Sequence, residues 1–252
     1  MPGLSGHPIE KKEKQVVKME KINLSSMDSG AVTLIDVLGW KGIWQRKENP
    51  INDLINIINT AKRKNDLLKE NGKSRFKEAA LKTEIISISD SIAMVSYGEV
   101  NNTLELHAGL GRMIIRDALK HKIPLRGATC FGKFSSNGSI LIGPAIDEVA
   151  SWYEMAEWIG IIHTPSAYLL CEIEEFNSKK LVVEHDVKTK NGLFTTNCVD
   201  WRWNGITLSF CEQDLKKMFY EMQPITPDIS KKIMNTIEFY KNRDVNHDAI
   251  QK

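Results

Sequence analysis

The chain has 252 residues, 42% of them hydrophobic and 26% charged, with a formal net charge of +2. That length suits one large domain, or a domain with appendages, around a sizeable core, and the composition excludes a disordered chain. So small a charge gives no case for a nucleic-acid or anionic-membrane partner, and no apolar run approaches the ~18 residues of a membrane span.

In chain order, residues 1–30 read as a flexible leader: a mixed-charge stretch from Glu10 to Lys21, then a linker from Ser25 to Gly30. The first six residues lack the apolar core of a signal peptide. Val32-Thr33-Leu34-Ile35-Asp36-Val37-Leu38 predicts a strand over 31–38, followed by Gly39 and Trp40. Ile51, Leu54, Ile55, Ile57 and Ile58 recur at helical spacing, so 51–70 is a helix; its basic far end, Lys62 to Lys77, reads as a solvated face. A strand over about 83–97 embeds Asp90, and a leucine-rich helix covers about 103–120. Pro124 opens a strand over 125–132, Asn137-Gly138 signals a hairpin, and Ile140 to Ile142 is its return. Gly143-Pro144 starts a helix over about 145–159. Ile161-Ile162 and Tyr168-Leu169-Leu170 are short strand candidates around Pro165.

Beyond 172 the pattern weakens. Leu181 to Glu184 and Trp201 to Ser209 read as strands, and Asp228 caps a last helix ending near Arg243. The expected organisation is a leader (1–30), a catalytic domain (31–172) and an extension (173–252) packed on that domain or on a dimer. The element order predicts an α+β or α/β fold with one mixed sheet and helices on one face. Cys130, Cys171, Cys198 and Cys211 form no CxxC pair and no zinc spacing with histidine, and read as free thiols of a reducing cytoplasm.

A buried strand has no use for a lone carboxylate, because an unpaired charge there costs several kcal/mol or becomes protonated. Asp36 and Asp90 each interrupt an apolar run. Two such carboxylates on neighbouring strands can hold two divalent cations about 3.5–4 Å apart and clamp a phosphoryl transfer. The backbone through Val37, Leu38, Gly39 and Trp40 enters a glycine turn and a helix start, a seat for phosphate oxygens. Arg126, followed by Gly127, is the fixed cation for a triphosphate, since its forked guanidinium suits phosphate geometry. The competing readings are turn-capping for each Asp and an ordinary ion pair for Arg126. His107 and His163 sit in apolar or turn contexts and are set aside as catalysts; Asp147, Glu148 and Glu154 read first as a solvated helix face, with metal binding as the alternative.

These residues carry a family resemblance. Ile35-Asp36-Val37-Leu38-Gly39-Trp40 resembles the first metal motif of class III nucleotidyl cyclases, and Ser89-Asp90 their second. Arg126-Gly127-Ala128-Thr129-Cys130-Phe131-Gly132 is similar to their triphosphate-contacting hairpin strand, and Gly143-Pro144-Ala145-Ile146 to the start of the segment bearing their transition-state residues. The resemblance spans about 31–170. It implies a ferredoxin-like palm, head-to-tail homodimers with composite active sites, and two Mn²⁺ or Mg²⁺ ions bound by Asp36, Asp90 and the Val37 carbonyl. It also implies attack of a ribose 3′-hydroxyl on the α-phosphorus of a nucleoside triphosphate.

Departures sharpen this expectation. The family's purine-reading Lys and Asp fall at Ile86 and Ile140, which cannot hydrogen-bond a base. Its transition-state Asn and Arg fall at Asp147 and Ser151, leaving that work to another group, such as Lys133 or a basic residue of a second subunit. Ser89-Asp90-Ser91, Leu125-Arg126-Gly127-Ala128 and Ile142-Gly143-Pro144-Ala145 are similar to segments of the pyrimidine cyclases of bacterial Pycsar anti-phage systems. That resemblance implies conversion of UTP to cyclic UMP, or of CTP to cyclic CMP, and a messenger-binding effector. Trp40 or Trp44 is a candidate base stacker, and Lys41 and Arg46 candidate readers of a uracil carbonyl. A non-catalytic nucleotide-binding module is the alternative.

Overall fold

The computed structural model describes residues 27–38, 48–71, 74–138, 140–174, 181–202, 211–222 and 224–242. Gly39, Trp40, Lys41, Trp44, Arg46 and the predicted strand beyond Arg202 lie outside them, as does most of the predicted leader.

The first six main elements run β1 (Asp28–Val37), α1 (Pro50–Asn71) with the short α2 (Ser74–Leu81), β2 (Thr83–Ile88), β3 (Ser91–Tyr97), α3 (Val100–Lys120) and β4 (Leu125–Asn137). Their strands lie in the order β2-β3-β1-β4, every neighbouring pair antiparallel. That is the βαββαβ arrangement of ferredoxin-like folds. β5 (Ile140–Ile142) returns on β4, and α4 (Pro144–Trp152) follows. β6 (Gly160–His163) then pairs parallel to β4, which makes the sheet mixed. After α5 (Pro165–Ile173), the hairpin β7 (Val182–Thr189) and β8 (Gly192–Val199) extends the same sheet beyond β6, and α6 (Glu212–Glu221) and α7 (Pro227–Lys241) complete the chain. The architecture is α+β, as expected.

Side chains alternate across a strand, so β1 divides its residues between two faces. Thr33 hydrogen-bonds His107 of α3, and Ala31 clusters with Leu104 of α3 and Ala167 of α5; the odd-numbered positions therefore face the large helices. Gly132, which pairs with Gly30, has its missing Cβ 3.4 Å from Ala145, so Val32, Leu34 and Asp36 share the face that carries α4. The helical cover on one face holds for α1 to α3; α4 adds a short cover on the other.

Several elements differ from expectation. The single strand over 83–97 is a hairpin: Ile88 pairs with Ser91, and Ser89-Asp90 is its two-residue loop, with Ser89 at φ 57°. Asp90 is therefore a turn residue and not embedded in a strand. Tyr168-Leu169-Leu170 is helical, because Pro165 takes the first turn of α5 behind Thr164, where proline loses no hydrogen bond. The helix after Gly143 stops at Trp152, and Trp158 and Ile159 are buried beyond it. Thr226, whose hydroxyl accepts from the Ile229 amide, caps α7 in place of Asp228. Trp201 is not in a strand: its indole donates to the Ile159 carbonyl at 3.1 Å, and its ring packs on Phe239 and Tyr240.

The C-terminal elements are clasped to the rest. Trp158 meets Phe239 edge-on with centroids 4.4 Å apart. Arg112 and Arg116 of α3 donate to the carbonyls of Asp200 and Trp201, and the buried Arg202 joins Asp200 to the end of α7. The four cysteines are free; only Cys211 is exposed. Among the described residues no helix is long and apolar enough to cross a membrane.

Candidate active site

Asp36 stands one residue from the end of β1, directly opposite Arg126 of β4. The pairing is possible because Gly127 lets the strands close up: a Cβ there would lie 2.3 Å from the Leu34 carbonyl oxygen. The close approach that Gly127 permits is thus that of β1. The Arg126 Nη2 lies 3.4 Å from Asp36 Oδ2 and 3.5 Å from Glu154 Oε2, and Nη1 donates to the Glu154 carbonyl at 2.8 Å. Arg126 is 8% exposed, and its Nε has no partner among the described residues. In this state the guanidinium serves Asp36 and Glu154.

Asp90 reaches the same end of the sheet. Ile35 pairs with Ile92, so the β2–β3 turn sits beside the end of β1, and the charge of Asp90 is felt at Asp36. Burial pushes the Asp36 carboxyl above the ordinary carboxylate value; Arg126 opposes this, while Asp90 and Glu154 add to it. Burial is thus the main cause of the shift, and Arg126 the largest charge acting on Asp36. Val37 is buried opposite Leu125, and the Leu38 amide donates to the Pro124 carbonyl at 2.9 Å.

Of three further neighbours, Tyr153 and Lys190 carry no sequence signal as site residues, and Glu154 reads first as a solvated helix face. Glu154 leaves α4 just after its end and accepts from the Tyr153 phenol, the main reason that its carboxyl lies below the usual range. Burial, with Glu154 second, pushes the Tyr153 phenol up to about 12. Lys190, in the β7–β8 turn, lies 3.7 Å from Glu154. Only long-range pairing brings Lys190 here, and no local pattern announces it.

The other candidates lie elsewhere. Asp147 and Ser151 are exposed on α4, where the Ser151 hydroxyl donates to the Asp147 carbonyl at 2.8 Å. Lys133 is exposed on β4, and Glu148 accepts from the Ser166 amide. His107 and His163 are buried, and burial holds them neutral, at about 3 and about 4.

Among the described residues no group of three or more His, Cys, Asp or Glu is arranged to hold a metal ion. A cation at Asp36 and Asp90 would draw its remaining ligands from substrate oxygens and water, which is how Mg²⁺ is bound at phosphate sites. The hard carboxylate donors fit such an ion.

No family model matches the chain, and no curated protein matches it. Solved structures similar to it include the catalytic core of a rhodopsin-guanylyl cyclase with converted specificity (14% identity, 69% of this chain and 95% of that one, TM-score 0.43). An adenylate cyclase from Trypanosoma brucei matches at 14% identity over 68% of this chain and 90% of its own, with a TM-score of 0.44. An adenylate/guanylate cyclase/hydrolase from Silicibacter pomeroyi matches at 13% identity over 68% and 95%, with a TM-score of 0.42. Similarity of this degree assigns no function; the reading of the site rests on its own residues.

Proposed function

We propose that the chain is a nucleotide cyclase acting on a pyrimidine nucleoside triphosphate, foremost UTP, and releasing 3′,5′-cyclic UMP and pyrophosphate. The observation that carries this reading is the end of β1, where the half-buried Asp36 lies against Arg126 with Asp90 in electrostatic reach. Asp36, Asp90 and the Val37 carbonyl would hold two divalent cations, Mn²⁺ or Mg²⁺, which when bound favour the 3′-alkoxide and neutralise the triphosphate. In the reaction the 3′-oxygen bonds to the α-phosphorus, the bond from that phosphorus to the bridging oxygen breaks, and the hydroxyl proton is lost to solvent. Arg126 orients Asp36 and supplies a fixed positive charge beside the phosphates. The Leu38 amide is committed to the Pro124 carbonyl, and Gly39 and Trp40, the remaining candidates for a phosphate seat, lie outside the described residues.

Two isoleucines support a pyrimidine. Ile86 is half-buried on β2 and Ile140 is 62% exposed on β5, and neither can hydrogen-bond a purine edge. An apolar side chain as open as Ile140 suits a homodimer in which a second chain completes the site and reads the base. The resemblance of three segments to Pycsar cyclases motivates the choice of UTP over CTP and a role in anti-phage defence with a messenger-binding effector.

One observation favours a second reading, a nucleotide-binding module without turnover: Ser151 spends its proton on its own helix and Asp147 is acidic, so neither supplies a transition-state cation. Incubation with ATP, GTP, CTP and UTP in turn with Mn²⁺, followed by mass detection of products, separates the two. Cyclic UMP that disappears in Asp36→Ala and Asp90→Ala is the expected result. Nucleotide-dependent thermal stabilisation without pyrophosphate would establish the binding module.

A further inference from the structure

Helices α6 and α7 leave a cavity of about 280 Å³ where they meet the ends of β1 and β4. Its walls are apolar, with Leu38, Ile159, Phe219 and Ile233 among them, and every charged group among the described residues that line it is a cation: Arg126, Lys190 and Lys232. The carboxylates that partner these cations, Asp36, Glu154 and Glu157, are not part of the lining. Lys190 has one carboxylate at 3.7 Å, and Lys232 has Glu157 at 3.3 Å and the Asp228 carbonyl at 3.4 Å. An ammonium carries three donors, so each lysine keeps capacity for a further acceptor. The Nε of Arg126 is a second, independent sign: a buried donor without a partner is costly, and this one, which has none among the described residues, belongs to a residue lining the cavity.

We propose that this cavity is a binding site for a small amphipathic monoanion, a carboxylate on a single ring or on a short branched chain. The volume is just below the roughly 300–1,000 Å³ of pockets for drug-sized ligands, which suits one ring and not a nucleotide. The apolar walls take the hydrocarbon body, and the carboxylate takes the donors of Arg126, Lys190 and Lys232. Two of the enclosing elements, α6 and α7, lie outside the segment that carries the cyclase resemblance, so the proposal does not depend on the nucleotide reading. Because Arg126 also serves Asp36, an occupant would share that guanidinium with the candidate active site.

The test is calorimetric titration of the full chain with benzoate and with 3-methylbutanoate, beside benzamide as the neutral isostere of benzoate. At least one carboxylate is expected to bind, with benzamide at least tenfold weaker than benzoate. Ile233→Trp, which fills the cavity, abolishes binding, and Lys232→Gln weakens it severalfold; the second variant keeps the test decisive should the first fail to fold. The proposal is overturned if neither carboxylate binds, if benzamide equals benzoate, or if binding survives unchanged in either folded variant.

Discussion

Two polar clusters lie on the same sheet, one in the middle and one at the end, and they solve burial differently. In the middle, Thr129, Thr33, His107, Ser96 and Thr83 form an unbroken chain of hydrogen bonds of 2.5–2.8 Å. Counting protons fixes its direction. The Thr83 hydroxyl donates to the Ala79 carbonyl at 2.7 Å, so Ser96 must donate to Thr83, His107 Nε2–H to Ser96, Thr33 to His107 Nδ1, and Thr129 to Thr33. Every member is satisfied and the imidazole is neutral. At the end of the sheet nothing closes: two carboxylates, Asp36 and Glu154, share one buried guanidinium, burial pushes Asp36 up, and Arg126 Nε has no partner among the described residues. The closed cluster is fold stability; the open one is the place that needs a ligand.

The comparison can be broken at several points. The largest effect is on turnover: Asp36→Asn and Asp90→Asn each lower cyclic-product formation at least about 1,000-fold, because the charge stabilisation supplied by metal ions is worth several kcal/mol and each 1.36 kcal/mol is tenfold. Mass-detected turnover checks this. His107→Ala breaks the closed cluster, stranding two buried hydroxyls beside a new void, and lowers unfolding free energy by roughly 3–5 kcal/mol in denaturant titration.

The clusters also differ in their response to pH. His107 titrates at about 3 in the folded chain against 6.5 ordinarily, so between those values the unfolded chain binds more protons and stability falls as pH drops from 6.5. Asp36 has the opposite sign. Its raised value means that the carboxyl favours folding while protonated and opposes it once ionised. Asp36→Asn therefore raises Tm at pH 7, and the gain vanishes below the ordinary value of 3.8. The smallest effect is a control: Lys122→Ala removes an exposed ion pair with Glu221 and leaves Tm unshifted within error.

The sequence carried the sheet order only indirectly, yet most elements were legible in it. Apolar periodicity marked α1 and α3 because each presents one consistent face to the core, whereas β1 and β4 were legible as strand-forming runs that are buried on both faces. The misread segments are those where local pattern and context disagree. Ser89-Asp90 reads as strand because its flanks are strand on both sides, and only the pairing of Ile88 with Ser91 reveals a turn. Tyr168-Leu169-Leu170 has a strand's composition, but Pro165 and Thr164 start a helix first. β8 and α6 were not read at all; α6 does place Leu215, Met218 and Phe219 at helical spacing, but over only 10 residues. At the site, Asp36, Asp90 and Arg126 stood out as charges in apolar runs. Glu154, Tyr153 and Lys190 did not, because what brings them to Asp36 is the ion pairing around Arg126 and the turn between β7 and β8.

The central claim is that the open end of the sheet takes a divalent cation, and electron paramagnetic resonance of Mn²⁺ tests it most directly. Titrated into the full chain with UTP present, Mn²⁺ is expected to bind the wild type and to stay free in solution with Asp36→Asn and with Asp90→Asn, while both variants keep the wild-type fold by circular dichroism. Equal Mn²⁺ binding by all three chains would contradict the claim.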